Sequence, residues 1–318
     1  MKALFFNGSD LELKEMAIPV ISEGESLVRI ITAGICRTDL EIIKGYMNFR
    51  GVLGHEFVGR VIESGDPSLV GKKVVGEINF GCGNCDLCRK GMERHCPDRT
   101  TLGISGRDGV FAECVALPNS NLIEVPEAVS DEMAVFSEPL AAALEITEQV
   151  HLFPDSRILI VGDGRLSALI CLALRLTGAD ITVLGKHDRK MKVFTRLGAR
   201  ICKRDELGNN NRDFDFVVEA SGSPSGWVMA TQFVKPRGVI ILKSTYHGNL
   251  EINAAELVIN EICVQGSRCG QFRPALRLME CGLVDPSFLI SGSFPLQSFR
   301  EAFSNAEGPG MFKTLLRM

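Results

Sequence analysis

The chain has 318 residues, 45% hydrophobic and 23% charged, the balance of an ordinary folded protein with room for two domains. A formal net charge of −4 with no concentrated run of Lys and Arg excludes a general affinity for nucleic acid or an anionic membrane surface. No apolar stretch approaches the roughly 18 residues of a membrane span, the opening MKALFFNGSDLELKE is too weakly apolar for a signal peptide, and eleven cysteines diluted over this length do not read as a disulfide framework; a cytoplasmic protein with reduced thiols is expected.

From Lys2 to about Pro126, short β-rich runs such as SLVRIITAGI, GHEFVGRVIES and KKVVGEI are separated by Gly, Pro, Asp and Asn. This region, residues 1–126, reads as a compact, mostly β domain. After VPEAVSDEMAVFSEP the texture changes to helices alternating with buried strands, which predicts a parallel, doubly wound sheet over about 127–268. RILIVGDG is a strand running into glycines, RLSALICLALRLTG a helix stopped by Gly178, and DITVLG the next strand. Asp188 is the predicted cap of the helix RKMKVFTRLG, and Ser223 with Pro224 opens SPSGWVMATQFV. VIILKS is a strand after the turn PRG. The stretch 269–318 reads as helix, strand, helix and a final strand, KTLLRM. The fold class is α/β.

Cys82, Cys85, Cys88 and Cys96 lie in GCGNCDLCRKGMERHCP with gaps of two, two and seven residues. Four thiolates from one short lobe close a tetrahedral shell around Zn²⁺ and leave no open position, so this site builds structure. His95 precedes Cys96 but adds nothing to a filled tetrahedron. A second set is scattered along the chain: Cys36 in AGICRTDLE, His55 and Glu56 in GVLGHEF, and Glu138 in FSEPLAAALE. One thiolate, one imidazole and one or two carboxylates are what a catalytic zinc with a labile position requires. Cys114, Cys171, Cys202, Cys263, Cys269 and Cys281 show no metal-ligand spacing, and His151, His187 and His247 carry no constellation.

GICRTD, GHEFVGRV, the four-cysteine lobe, SEPL, the glycine-rich turn, DFVVEASG and GVIILKST occur in an order that resembles the medium-chain dehydrogenase/reductase superfamily. The similarity is to its zinc-dependent alcohol, polyol and threonine dehydrogenase branch. The resemblance implies a GroES-like catalytic domain, completed by residues 269–318, and a Rossmann domain in the middle. It implies Cys36, His55 and Glu138 as catalytic zinc ligands, with Glu56 adjacent and able to exchange for water, and thus two zinc ions per chain. It matches Asp39 to the carboxylate that orients the ligand imidazole and Thr38 to the hydroxyl that passes the substrate proton toward solvent. The histidine that usually ends this relay is missing; Glu41 either relays the proton or lies on an exposed helix face, the simpler reading. Tyr46, Met47 and Phe49 either line the substrate pocket or are exposed loop residues.

IVGDGRLS supplies Gly162 and Gly164, the first two positions of G-x-G-x-x-G, with Ser167 at the third. The first two permit a tight turn and close approach to a pyrophosphate at a helix N-terminus; the third governs helix packing, where Ser is small enough. Arg165 and Leu166 follow in the same turn. DITVLG ends in Gly185, where NAD-specific relatives carry an acid, and Lys186 and Arg189 follow, so NADP is expected over NAD. Ser221, Gly222, Ser244 and Thr245 fall at strand ends and are expected to line the nicotinamide side. The leading expectation is a zinc-dependent, NAD(P)-linked dehydrogenase acting on a secondary alcohol, polyol or small hydroxy amino acid. It is a small-molecule enzyme, and a homo-oligomer, dimer or tetramer, by resemblance. The rivals are a nucleotide-binding protein that keeps only the structural zinc, and a zinc-independent quinone or enoyl reductase.

Overall fold

The computed structural model describes residues 1–208, 212–245 and 249–318. His247 and Tyr246 lie outside the described residues. The chain divides into two compact units, Met1–Glu138 with Phe272–Met318, and Pro139–Gln271.

The first unit is built on a sheet ordered Leu122–Glu124, Lys73–Gly76, Glu56–Ser64, Glu25–Ile35, Lys313–Arg317, Ile290–Pro295, with Cys114–Pro118 also paired to Glu25–Ile35. Glu25–Ile35 is the longest strand and is buried along most of its length, because SLVRIITAGI is apolar on both faces. It pairs antiparallel with Glu56–Ser64, bringing Gly34 opposite Glu56, and with Lys313–Arg317, bringing Gly34 opposite Leu315. Two neighbouring strands thus deliver Glu56 and Lys313 to the same point. Smaller three-stranded sheets hold the amino-terminal strands and the segment that follows the cysteine lobe.

The second unit is a six-stranded parallel sheet ordered Arg200–Cys202, Asp180–Leu184, Arg157–Val161, Phe214–Glu219, Val234–Leu242, Cys263–Gly266. In chain order this is 3-2-1-4-5-6, the doubly wound arrangement whose direction reverses between Arg157–Val161 and Phe214–Glu219. Leu159, Val161, Val217, Trp227, Phe233 and Ile240 pack in its core. Gly178, in the left-handed region at φ 82°, ends the helical stretch begun by Arg165–Leu174, as its sequence indicates. The Ser223 hydroxyl caps Pro224–Phe233 by accepting the N–H of Ser225.

Two local expectations need correction. Asp188 is the first residue of the helix Asp188–Arg196, and His187 is its cap, in an extended conformation. The cause is Asp163, which binds the His187 N–H and fixes the chain one residue earlier than the capping rule suggests. PRG does not precede a strand. It lies inside Val234–Leu242, where Arg237 takes φ 60° and the register to Phe214–Glu219 shifts.

Candidate active site

Cys36 stands at the junction of the strand Glu25–Ile35 and the helix Arg37–Ile43. Its N–H is accepted by Asp39 Oδ2 at 2.8 Å, which fixes the turn, and its Sγ lies 3.6 Å from the Thr38 hydroxyl. Thr38 therefore sits on a helix rather than a free turn. Asp39 is fully buried, and its Oδ1 is 3.4 Å from Nδ1 of the buried His55. Glu56 follows at the start of its strand. The donor atoms of Cys36, His55 and Glu56 lie within 4.8 Å of one another.

The electrostatics of this cluster ask for a cation. Burial disfavours the His55 imidazolium, yet the charges of Asp39 and Cys36 overcome it and raise the ring well above its usual range. Glu56 Oε1 is buried and takes no hydrogen bond among the described residues. Glu138, in the first turn of Ser137–Gln149, falls outside the 4.8 Å set but stands close enough to feel it. Enclosure lifts its carboxyl to about 7; His55 pulls it down, while Glu56 and Glu77 push it up. Mutually repelling carboxylates beside a thiol and an imidazole fit a divalent ion of the zinc type.

Sequence reasoning missed Lys313. Its ammonium is buried and pairs with Glu56 Oε2, and it lies 5.6 Å from the Phe136 ring centre. Gly34 makes the space: a Cβ there would come within 2.5 Å of Glu56 Oε2 and 2.9 Å of Val135. The available signal was a lone Lys in the apolar strand KTLLR, which a sheet interior tolerates only with a partner. Glu41, by contrast, is partly exposed and paired with Arg37 at 2.7 Å and Lys44 at 3.8 Å. Phe49 is buried, whereas Met47 is half exposed with φ 66°.

The four-cysteine lobe also brings its donors within 4.8 Å of one another. The Cys82 N–H donates to Cys96 Sγ at 3.3 Å and the Cys88 N–H to Cys85 Sγ at 3.4 Å. Gly81 leaves room for Cys88, whose sulfur would be 2.6 Å from a Cβ there. Backbone N–H groups of Asn84 and Cys85 draw Cys82 down to about 7, and burial pushes Cys88 up to about 12. His95 is exposed.

In the second unit Gly162 takes φ 118°, with Ala220 O 2.8 Å from any added Cβ, so only glycine fits the turn. Gly164 is the extended cap of Arg165–Leu174, with open space beside it and no side-chain cap on the helix. A helix N-terminus with open space beside its cap suits a pyrophosphate. Ser167 is fully buried and Arg165 and Leu166 are partly exposed. Lys186 and Arg189 are exposed, just beyond the buried Gly185. At the neighbouring strand ends, Glu219 Oε1 accepts the Ser221 N–H and hydroxyl, and Ser244 Oγ accepts the Gly222 N–H at 2.8 Å; Thr245 is exposed.

Two family models match the chain. Residues 22–127 match the alcohol dehydrogenase GroES-like domain, and residues 132–318 match the glucose dehydrogenase C-terminus. The chain is 25% identical to sorbitol dehydrogenase of Bacillus subtilis over 96% of its own length and 92% of that protein. It is 28% identical to L-threonine 3-dehydrogenase of Bacillus velezensis, covering 95% and 94%. The crystal structure of the alcohol dehydrogenase RspB from Escherichia coli CFT073 with NADH superimposes with a TM-score of 0.94 at 26% identity, covering 100% and 99%. The GroES-like match, the 3-2-1-4-5-6 parallel sheet and these relatives lead to one conclusion: the chain belongs to the zinc-type branch of the medium-chain dehydrogenase/reductase family and is an alcohol dehydrogenase-like oxidoreductase.

Proposed function

We propose that the chain is a zinc-dependent, NAD(P)-linked dehydrogenase that oxidises a secondary alcohol or polyol, or a small hydroxy amino acid, to the ketone. The observation that carries this reading is the convergence of Cys36, His55 and Glu56 donors within 4.8 Å, on buried His and Glu side chains. Zinc held by Cys36, His55 and Glu56 or Glu138 supplies Lewis-acid polarisation of the substrate oxygen when bound, and a dinucleotide held at Gly162 and Gly164 accepts hydride.

The remaining work belongs to the chain's own groups. Asp39 Oδ1, 3.4 Å from His55 Nδ1, faces that side of the ring and leaves the other ring nitrogen to ligate. The Thr38 hydroxyl, beside Cys36, takes the proton released from the substrate oxygen and hands it outward. Glu41 is engaged by Arg37 and Lys44, which supports a helix-face ion pair rather than a relay. Ser221, Ser244 and Thr245 line the nicotinamide side, and Arg165 and Leu166 flank the pyrophosphate turn. Exposed Lys186 and Arg189 favour a 2′-phosphate; Asp163, next to them, works in the opposite direction. The exposed Val258 and Ile259, near the edge strand Cys263–Gly266, support a homo-oligomer.

Metal analysis and a dehydrogenase screen test the reading. Two zinc ions per chain are expected, one of them lost together with alcohol-dependent reduction of NAD or NADP in Cys36→Ala and His55→Ala. A single zinc that survives both substitutions, with no turnover on secondary alcohols, polyols or threonine, would overturn it in favour of a non-catalytic nucleotide-binding protein.

A further inference from the structure

The strand Asp180–Leu184 ends in Gly185, so no side chain at that position can meet the sugar of a dinucleotide. The structure shows what occupies the space instead. A Cβ at Gly185 would come within 2.9 Å of both Cβ and Oδ2 of Asp163, and would also run into the sulfur of Met191. Asp163, which lies between Gly162 and Gly164, thus stations its carboxylate beside the point from which a strand-end side chain would project.

That carboxylate is held in place. Only 8% of Asp163 is exposed, Oδ2 accepts the N–H groups of Lys186 and His187 at 2.8 Å each, and Oδ1 lies 3.1 Å from His187 Nδ1. Burial raises its pKa, but the hydrogen bonds from His187 and Lys186 outweigh this and keep it below the usual carboxylate range. It is therefore a fixed negative charge on the turn that receives the pyrophosphate. In a dinucleotide the adenosine ribose is joined to the pyrophosphate through a single methylene, so a pyrophosphate at Gly164 places the ribose beside Asp163. A vicinal diol gives a carboxylate two donors to bind, whereas a 2′-phosphate gives it only like charge. The opposing cations, Lys186 and Arg189, are exposed and screened by solvent, while the carboxylate is buried and preorganised.

We propose that Asp163 recognises the ribose diol from within the glycine turn, taking the part that a residue at position 185 cannot, so that the chain prefers NAD over NADP. The proposal rests on the dehydrogenase reading and reverses the cofactor preference expected from Gly185, Lys186 and Arg189 alone. The missing acid is supplied 22 residues earlier in the chain, from position 163 instead of 185.

The test is calorimetric binding of NADH and NADPH to the zinc-loaded protein and its variants, with no substrate present. The wild-type chain is expected to bind NADH at least tenfold more tightly. Asp163→Asn, which keeps an acceptor for the loop amides but loses the charge, is expected to shrink that ratio at least tenfold, chiefly by weakening NADH. If Asp163→Asn does not fold, Asp163→Ser, which keeps a hydroxyl acceptor for the loop amides, decides, and the same loss of NADH preference is expected. A wild-type preference for NADPH, or an unchanged ratio in folded Asp163→Asn or Asp163→Ser, overturns the role of Asp163 while leaving the dehydrogenase reading intact. Failure of the wild type to bind either dinucleotide at millimolar concentration overturns both.

Discussion

Lys313 and Glu56 are both almost completely enclosed, and each is the other's main electrostatic partner. Such a pair is a poor source of net stability, because desolvation cancels most of the attraction, yet breaking it strands a buried charge. Lys313→Met is therefore expected to lower unfolding stability by about 3–5 kcal/mol in urea denaturation. A loss below about 1 kcal/mol, the range of an exposed bridge, would show that the carboxylate finds another partner. The pair was not legible in the sequence because its members are 257 residues apart and meet only through the two strands that flank Gly34. The Cys36, His55 and Glu56 cluster was legible for the opposite reason, through the combination of residue types and the resemblance of the segments that carry them, whereas Glu138 falls outside the 4.8 Å set. Asp163 stood in plain view inside GDG, but hydropathy and motif rules treat that position as variable. Only the backbone path of Lys186 and His187 gives it a task.

At the scale of elements, the two candidate metal clusters differ in what supports them. The four-cysteine lobe contains only the short helices Asp86–Arg89 and Glu93–His95, too small to hold shape through packing. On the proposed zinc reading, metal ligation does so, at an apparent strength on the order of 10 kcal/mol in structural zinc peptides. Cys36, in contrast, caps a helix that grows from the long, largely buried strand Glu25–Ile35. Cys85→Ala is accordingly expected to expose the segment 81–99 to limited proteolysis, whereas Cys36→Ala keeps the native digestion pattern and circular dichroism but loses turnover. A proteolytically silent Cys85→Ala would contradict this division of labour. The spacing of the four cysteines was enough to read the lobe. The bulge at Arg237 was not readable, since a Pro and a Gly so close together normally signal a chain reversal.

At the scale of the molecule, alternating textures in the sequence anticipated a β-rich and a doubly wound part, because hydrophobic periodicity survives whatever the chain does later. The text change was placed at residues 126 and 268, and the compact units divide at Glu138 and Gln271. What periodicity cannot report is association. Val258 and Ile259 are 76% and 79% exposed, and the edge strand Cys263–Gly266 carries a partly exposed Val264. Light scattering is expected to give a native mass of at least two chains, reduced by Ile259→Asp; a wild-type monomer would refute self-association.

The position of Lys313–Arg317 inside the large sheet carries a consequence for biosynthesis. That strand pairs with both Glu25–Ile35 and Ile290–Pro295, so one unit is assembled from stretches separated by the whole of the other. The intervening Pro139–Gln271 is continuous and can fold as soon as it clears the ribosome. The β-rich unit has to wait, its strand Glu25–Ile35 covered along one edge only at Glu25–Arg29, by Cys114–Pro118, until Lys313–Arg317 is made. During that interval Glu56 lacks its lysine, and the cluster it shares with Cys36 and His55 stays incomplete until Lys313 arrives.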